Sequence, residues 1–396
     1  MYDVIVIGAR CAGSPTAMLL AERGYRVLMV DKATFPSDVI STHIIKYPGV
    51  RRLREWGLLE AVLDSGCPPL ERFTIHSTGE PVSGLAPPQG EVPSIAPRRT
   101  VLDKLLLARA LEAGVEFRSG FAVTDVLFEG SRVIGIEGRS ESGQIVRECA
   151  DIVIGADGMN SLLARKVSAE KYNEKPPQAF YYYAYWPDLP VEGLEAHIKR
   201  HKFILAFPTN DGLTCLVVGR PMSYFKEFRK NVEANYMALL EEAPRLREAV
   251  YGRDPEEGFF GMPVPNYFRE PFGPGWALVG DSGLCVDPLQ GHGIKDAFRD
   301  AELLAEALDE GLSGKAELSQ RLAEFESARN EAAREYYEIN WKGAQMESSG
   351  NNEMRRLRDA VRHSSRLRNL YAGVVAQSVG RDEFFALQEI EAALSD

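Results

Sequence analysis

Cysteine is scarce and poorly placed in this 396-residue chain. Cys11, Cys67, Cys149, Cys215 and Cys285 are odd in number and scattered, with no C-x-x-C pair. Such a set supports neither a disulfide framework nor a thiolate metal centre and points to reduced thiols in a cytoplasmic protein. Of the six histidines, only His197 and His201 fall at i, i+4 spacing, and no third ligand accompanies them. A surface segment is the plainer reading there, and no metal is expected. No apolar run approaches about 20 residues, which excludes a membrane-spanning helix. A strand pattern beginning at residue 3 leaves no room for a leader peptide. Positive charge is also in deficit: 46 Lys and Arg against 57 Asp and Glu give a formal charge of −11. That balance argues against nucleic acid or an anionic membrane as the main partner. The local cluster Arg355, Arg356 and Arg358 reads as a solvated helix face.

What the chain does have is concentrated at its start. Residues 4–7 form an apolar run broken at Gly8, a helical pattern follows through Ala21, and a second apolar run ends in Asp31. This is a compact βαβ unit with an acidic residue at the end of its second strand. Gly8 permits the tight turn, Gly13 lets helix and strand pack closely, and the helix N-terminus offers N–H groups to a pyrophosphate. Asp31 can accept from an adenosine ribose. Arg10 stands where a middle glycine is usual; its Cβ opposes close phosphate approach, while its guanidinium can itself pair with phosphate. The motif's position at the extreme N-terminus favours FAD over NAD.

Further along, a breaker-rich loop holds Ser41, Thr42 and His43, residues 48–64 look helical, and a helix starts at Arg99. Alternating segments near 121–128, 132–138 and 144–154 read as a β-meander. From 176 to 264 the pattern shifts to aromatic-rich strands at 180–186, 203–207 and 213–218 with helical stretches at 224–250. Long helices at about 291–310, 317–345, 351–373 and 381–394 complete the chain. Two more strand-to-turn signatures punctuate this pattern. Gly155-Ala-Asp157-Gly158 leads into a helix, and Gly280-Asp281 precedes Asp287-Pro288-Leu-Gln-Gly291-His292-Gly293-Ile294.

Taken in order and spacing, these three motifs resemble the flavoprotein monooxygenases of the para-hydroxybenzoate hydroxylase type, with their geranylgeranyl reductase and flavin-dependent halogenase relatives. The resemblance covers about residues 1–310. It implies an α/β fold: a Rossmann-like FAD-binding domain of the glutathione reductase type, an inserted β-sheet substrate domain and C-terminal helices. The expected boundaries are 1–72, 95–175 and 265–310 for FAD, 73–94 and 176–264 for substrate, and 311–396 for the helical region. The family pattern implies that Gly8, Gly13 and Asp31 hold the ADP half of FAD, with Arg10, Cys11, Ala12, Lys32 and Val123 also at the cofactor. Thr42, Arg99, Asp157, Gly280 and Asp281 would flank the rest, and Gly291, Gly293 and Ile294 would face the pyrimidine end of the flavin. His43, Asp287 and Pro288 are the candidate catalytic residues.

The same resemblance narrows the chemistry. The loop Asp287-Pro288-Leu-x-Gly291-x-Gly293-Ile294 is closer to the reductase and halogenase versions than to the paired prolines of aromatic hydroxylases. Yet Phe203-Ile-Leu205-Ala-Phe207-Pro-Thr209 lacks the tryptophans of the halogenase segment and the lysine of the reductase segment. Lys46 is the nearest candidate for a halogenase lysine, in a context that does not match. The expectation is therefore a monooxygenase in which NAD(P)H reduces FAD, O₂ adds at flavin C4a, and the hydroperoxide attacks an aromatic or polyketide-like substrate. A C=C reductase is the alternative; a halogenase or a non-catalytic flavoprotein ranks below both. Tyr181, Tyr183 and Tyr185, and Phe203, Leu205 and Phe207, share strand faces and are the candidate substrate contacts. No second nucleotide fold is visible for NAD(P)H, which leaves room for a separate flavin reductase, and the chain is expected to be a monomer or homodimer.

Overall fold

The computed structural model describes residues 1–77, 79–347 and 352–395. Its first layer grows from the apolar runs. Strand Tyr2–Ile7 pairs in parallel with Val27–Val30 on one side and with Ile145–Gly155 on the other, and Ile145–Gly155 continues to Trp276–Leu278. Val4, Ile5, Val6, Leu28 and Met29 are fully buried because helices and the meander cover both faces. The meander forms from Ala122–Glu129, Arg132–Arg139 and Ile145–Gly155, within a residue or two of expectation. Helix Gly13–Ala21 crosses this sheet and packs against the long helix Gly293–Leu312.

The second layer is a seven-stranded sheet. Ala179–Pro187, Leu213–Pro221, Lys202–Pro208 and Leu194–Lys199 form its antiparallel centre, and Arg72–His76 joins Leu194–Lys199 in parallel. Period-2 alternation divides this sheet. One face carries Tyr181, Tyr183, Tyr185, Phe203, Leu205 and Phe207 toward the first layer. The other carries Phe180, Tyr182 and Trp186 under the short helices of residues 225–250.

The helices differ from expectation in detail. The stretch 48–64 divides into Tyr47–Glu55 and Leu59–Asp64 at Gly57, whose φ of +74° no helix continues through. The C-terminal stretches divide into Asn352–Arg362, Ser365–Ala376, Arg381–Phe385 and Gln388–Ser395. Arg358 turns inward and is buried, so the basic cluster is not wholly a solvated face. His197, expected on the surface, lies buried in strand Leu194–Lys199; only His201 sits on a turn. The signal missed was the strand alternation of Leu194-Glu-Ala-His-Ile-Lys.

Candidate functional site

Two glycines draw the three motifs together. Gly8 has φ +106°, and a Cβ there would collide with the Ala156 carbonyl beside Asp157. Gly280 has φ +64°, and a Cβ there would sit 2.8 Å from Ala12 Cβ. Gly13 packs still more closely against the Gly8 carbonyl. No side chain caps helix Gly13–Ala21; Ser14 N donates to the Arg10 carbonyl and Pro15 has no N–H, so within its first turn the Gly13 N–H is the one left for an anion. At the adjacent strand end, Asp31 accepts from Ala9 N (2.9 Å) and Ala33 N (2.8 Å), which fixes the carboxylate. Lys32 is exposed beside it, and the Asp31 carbonyl accepts from Phe121 N, bringing Val123 close.

Arg10 turns to protein groups. Its guanidinium donates to Asp103 Oδ2 at 2.6 Å and to Ser37, and stacks over Phe35. Asp103 is fully buried and accepts a second, bidentate arginine, Arg99, at 3.0–3.1 Å. The Cys11 thiol points at the same carboxylate, 3.4 Å away, and burial pushes its pKa well up, so it is no nucleophile. Arg99 also feels Asp281, so the Gly8–Gly13 turn, the Arg99 helix and the Gly280-Asp281 turn share one locality. Asp103 was missed by sequence reading; a buried acid facing two arginines is visible only once the helix is docked.

Asp157 and Asp281 differ. Asp157 accepts from Leu162 N at 2.6 Å at the start of helix Leu162–Lys166, and burial raises its carboxyl; Oδ1 has no partner among the described residues. Asp281 is exposed to solvent yet crowded by protein, the situation of a group on the wall of an open slot. That crowding, together with Asp296 and Asp300, pushes its pKa to about 6, against the pull of Arg99; solvent access tempers the rise.

The turn at Gly291–Ile294 starts helix Gly293–Leu312, again with no side-chain cap. Behind it lies a buried polar cluster. Burial, helped by Lys295, brings Lys46 down to about 7, and His292 is held neutral at about 2, stacked 4.2 Å from Tyr336. Lys46 thus faces the polar start of this helix.

The tyrosine face meets both loops. Tyr181 Oη donates to Asp287 Oδ1 (2.9 Å), Ser41 N donates to Tyr183 Oη (3.3 Å), and Tyr185 Oη lies 3.0 Å from His43 Nε2. Thr42 is half-buried between the last two contacts. His43 Nδ1 faces the Ala96 carbonyl at 3.0 Å, so Nδ1 carries the proton and Nε2 accepts from Tyr185. Burial drives the imidazole down to about 3. His43 is therefore a neutral link between the Ala96 carbonyl and Tyr185. Arg98, overlooked in the sequence, lies 4.1 Å over the Tyr185 ring and pairs with Asp38 and Glu257. Phe203 and Phe207 complete the face edge-on to Tyr181 and His43, with Leu205 between them.

Asp287 is the most unusual group here. It is buried, and burial pushes it up to about 7 although Leu289 N and Tyr181 donate to Oδ1. Its Oδ2, Asn266 Nδ2 and Asn340 Oδ1 are buried without a partner among the described residues. Asn266 accepts from Asp287 N, and Asn340 donates to the Asp287 carbonyl, so three orphaned polar atoms cluster beside Pro288. Such clusters mark room for a water or a ligand group.

Comparison with known proteins gives the family. The family model described as "FAD binding domain" matches residues 1–339. The chain is 26% identical over 328 residues to the 1H-pyrrole-2-carbonyl-[peptidyl-carrier protein] brominase of Pseudoalteromonas luteoviolacea, covering 79% of this chain and 78% of that one. It is 27% identical over 345 residues to the digeranylgeranylglycerophospholipid reductase of Methanosarcina acetivorans (79% and 76%). It is 28% identical over 368 residues to the FAD-dependent monooxygenase atnJ of Arthrinium sp (83% and 80%). The structure of the myxobacterial chondrochloren halogenase CndH superposes with TM-score 0.79 at 22% identity, covering 100% of this chain and 97% of that one.

Proposed function

From a chain that belongs to the FAD binding domain family, and is thereby an FAD-dependent oxidoreductase, we propose a monooxygenase that uses NAD(P)H and O₂ on an aromatic or polyketide-like small molecule. The observation that carries this reading is the tyrosine and phenylalanine face joined by three hydroxyls to the loops of the cofactor slot. An apolar, aromatic wall suits a planar apolar substrate, and its polar contacts would orient it.

The residues fit FAD. Two uncapped helix N-termini favour negative charge, one for phosphate and one for electron density on the reduced ring. Asp31 would take the ribose, Arg99 would lie beside the cofactor, and Asp281 would hold the ribityl hydroxyls. Behind the Gly291–Ile294 turn, Lys295 is paired with Asp296 and Lys46, brought down to about 7, carries only part of a positive charge near neutral pH. The flavin supplies the hydride and oxygen chemistry; the protein binds, orients and excludes water. Near neutral pH Asp287 shares its proton between buried acid and carboxylate, at an oxygen with no other partner, and can hold or give it beside the substrate face.

A second reading, a flavin-dependent C=C reductase, is favoured by the Asp287-Pro288-Leu-x-Gly291-x-Gly293-Ile294 loop. One assay separates the two. Purified protein with FAD, NADH or NADPH and candidate aromatics is run with and without O₂, with and without bromide, and products are read by mass. Gain of one oxygen, only with O₂, is the expected result. Equal turnover without O₂ and gain of two hydrogens would assign the reductase; gain of bromine would assign a halogenase.

A further inference from the structure

Outside the cofactor slot, the sheet carries a second built cluster. His76 ends strand Arg72–His76, and the parallel register sets it opposite His197. The two imidazoles stack with centroids 4.1 Å apart and planes 3° apart. Glu195 lies two residues before His197, hence on the same face. Its Oε1 is 2.8 Å from His197 Nε2 and 3.3 Å from His76 Nε2. This face is opposite to the tyrosines, since the intervening Ala196 belongs to the tyrosine-side core.

We propose that His76, Glu195 and His197 bind a divalent transition-metal ion, with Zn²⁺ as the occupant. Three ligand atoms lie within 4.8 Å of one another. Ligands held about 2.0–2.2 Å from one Zn²⁺ stand roughly 3–3.5 Å apart, and because imidazole lone pairs lie in the ring planes, one of the two stacked rings must tilt out of the stack for both to meet the ion. The contacts within the protein leave a deficit: His76 Nε2 is buried and, although near Glu195, makes no hydrogen bond. A cation bound by all three atoms uses that lone pair. Arg245 pairs with the other oxygen of Glu195, the orienting contact a metal carboxylate needs. His197 and Glu195 are 8% and 4% exposed, whereas the His76 side chain is 30% exposed, leaving one side open for a water ligand. Two imidazoles and one carboxylate select a borderline ion over Ca²⁺ or Mg²⁺. Arg245 and Lys199, both close, keep the affinity modest. The ion would pin the early strand Arg72–His76 to the later strand Leu194–Lys199, away from the flavin chemistry.

The test uses the full FAD-loaded chain, free of any tag and stripped with chelator. Zn²⁺ binding is followed by calorimetry and Co²⁺ by its visible absorption. One equivalent should bind in wild type and in His201→Ala, whose histidine lies near Glu347 and serves as control. His76→Ala and His197→Ala should each weaken binding more than about 100-fold while retaining FAD. His76→Ala, at the more exposed position, is the decisive variant should His197→Ala fail to fold. Absence of saturable binding in wild type, or unchanged binding in His76→Ala, overturns the proposal.

Discussion

At the scale of single residues, Asp287 makes the sharpest prediction. Its folded pKa is about 7 against an ordinary value near 4, so the folded chain holds a proton that the unfolded chain has released across that interval. Stability contributed by this group is therefore greatest at low pH and falls as pH rises from about 4 to 7. The loss amounts to up to about 4 kcal/mol at roughly 1.4 kcal/mol per unit. Asp287→Asn keeps an acceptor for Tyr181 and Leu289 but cannot ionise. Its unfolding free energy relative to wild type should climb between about pH 4 and pH 7, as read by urea denaturation, and a pH-independent difference would refute the assignment. The location of this residue was readable from the Gly-Asp loop; its ionisation was not, because the desolvating partners Tyr181, Asn266 and Asn340 come from distant strands and helices. Arg10 teaches the same lesson. Sequence marked it as an intruder in a glycine motif, but Asp103 and Ser37, which engage it, are distant in the chain.

Among elements, the strand Ala179–Pro187 does most to join the two layers. Tyr181, Tyr183 and Tyr185 were readable as one face from period-2 spacing alone, and they do share it. What alternation could not reveal is which loops lie opposite. Removing one hydroxyl tests the connection. Tyr185→Phe leaves His43 Nε2 buried with no donor, a loss of about 1–3 kcal/mol. The drop should appear in equilibrium unfolding, together with faster amide exchange in the 37–43 loop. Unchanged exchange there would show that the loop is held by other contacts. Strand Leu194–Lys199 was the element sequence reading lost, since its charged and histidine positions alternate with few apolar ones and imitate a surface turn.

For the molecule as a whole, the family match ends at residue 339, yet the core does not. Leu357, Val361, Leu367, Phe384 and Ile390 form a cluster with Val82 of the seven-stranded sheet. Asn369 accepts from Leu85 N, and Ala372 and Ala376 pack against the tyrosine-side core. A chain ending at residue 347 should lose this cover, with a melting midpoint lower by about 10 °C or more or outright insolubility. An unchanged midpoint would mean that the last helices fold as an independent unit. Among the described residues, no helix is long and apolar enough to cross a membrane.

The three tyrosine contacts bear on the kinetics of entry. Because the same hydroxyls fasten the aromatic face to the 41–43 loop and to Asp287, a small molecule docking on that face, as proposed, would require sheet and loops to part. Its arrival would then be governed by the opening frequency of the free protein, and a tight binder would be one that arrests the open state.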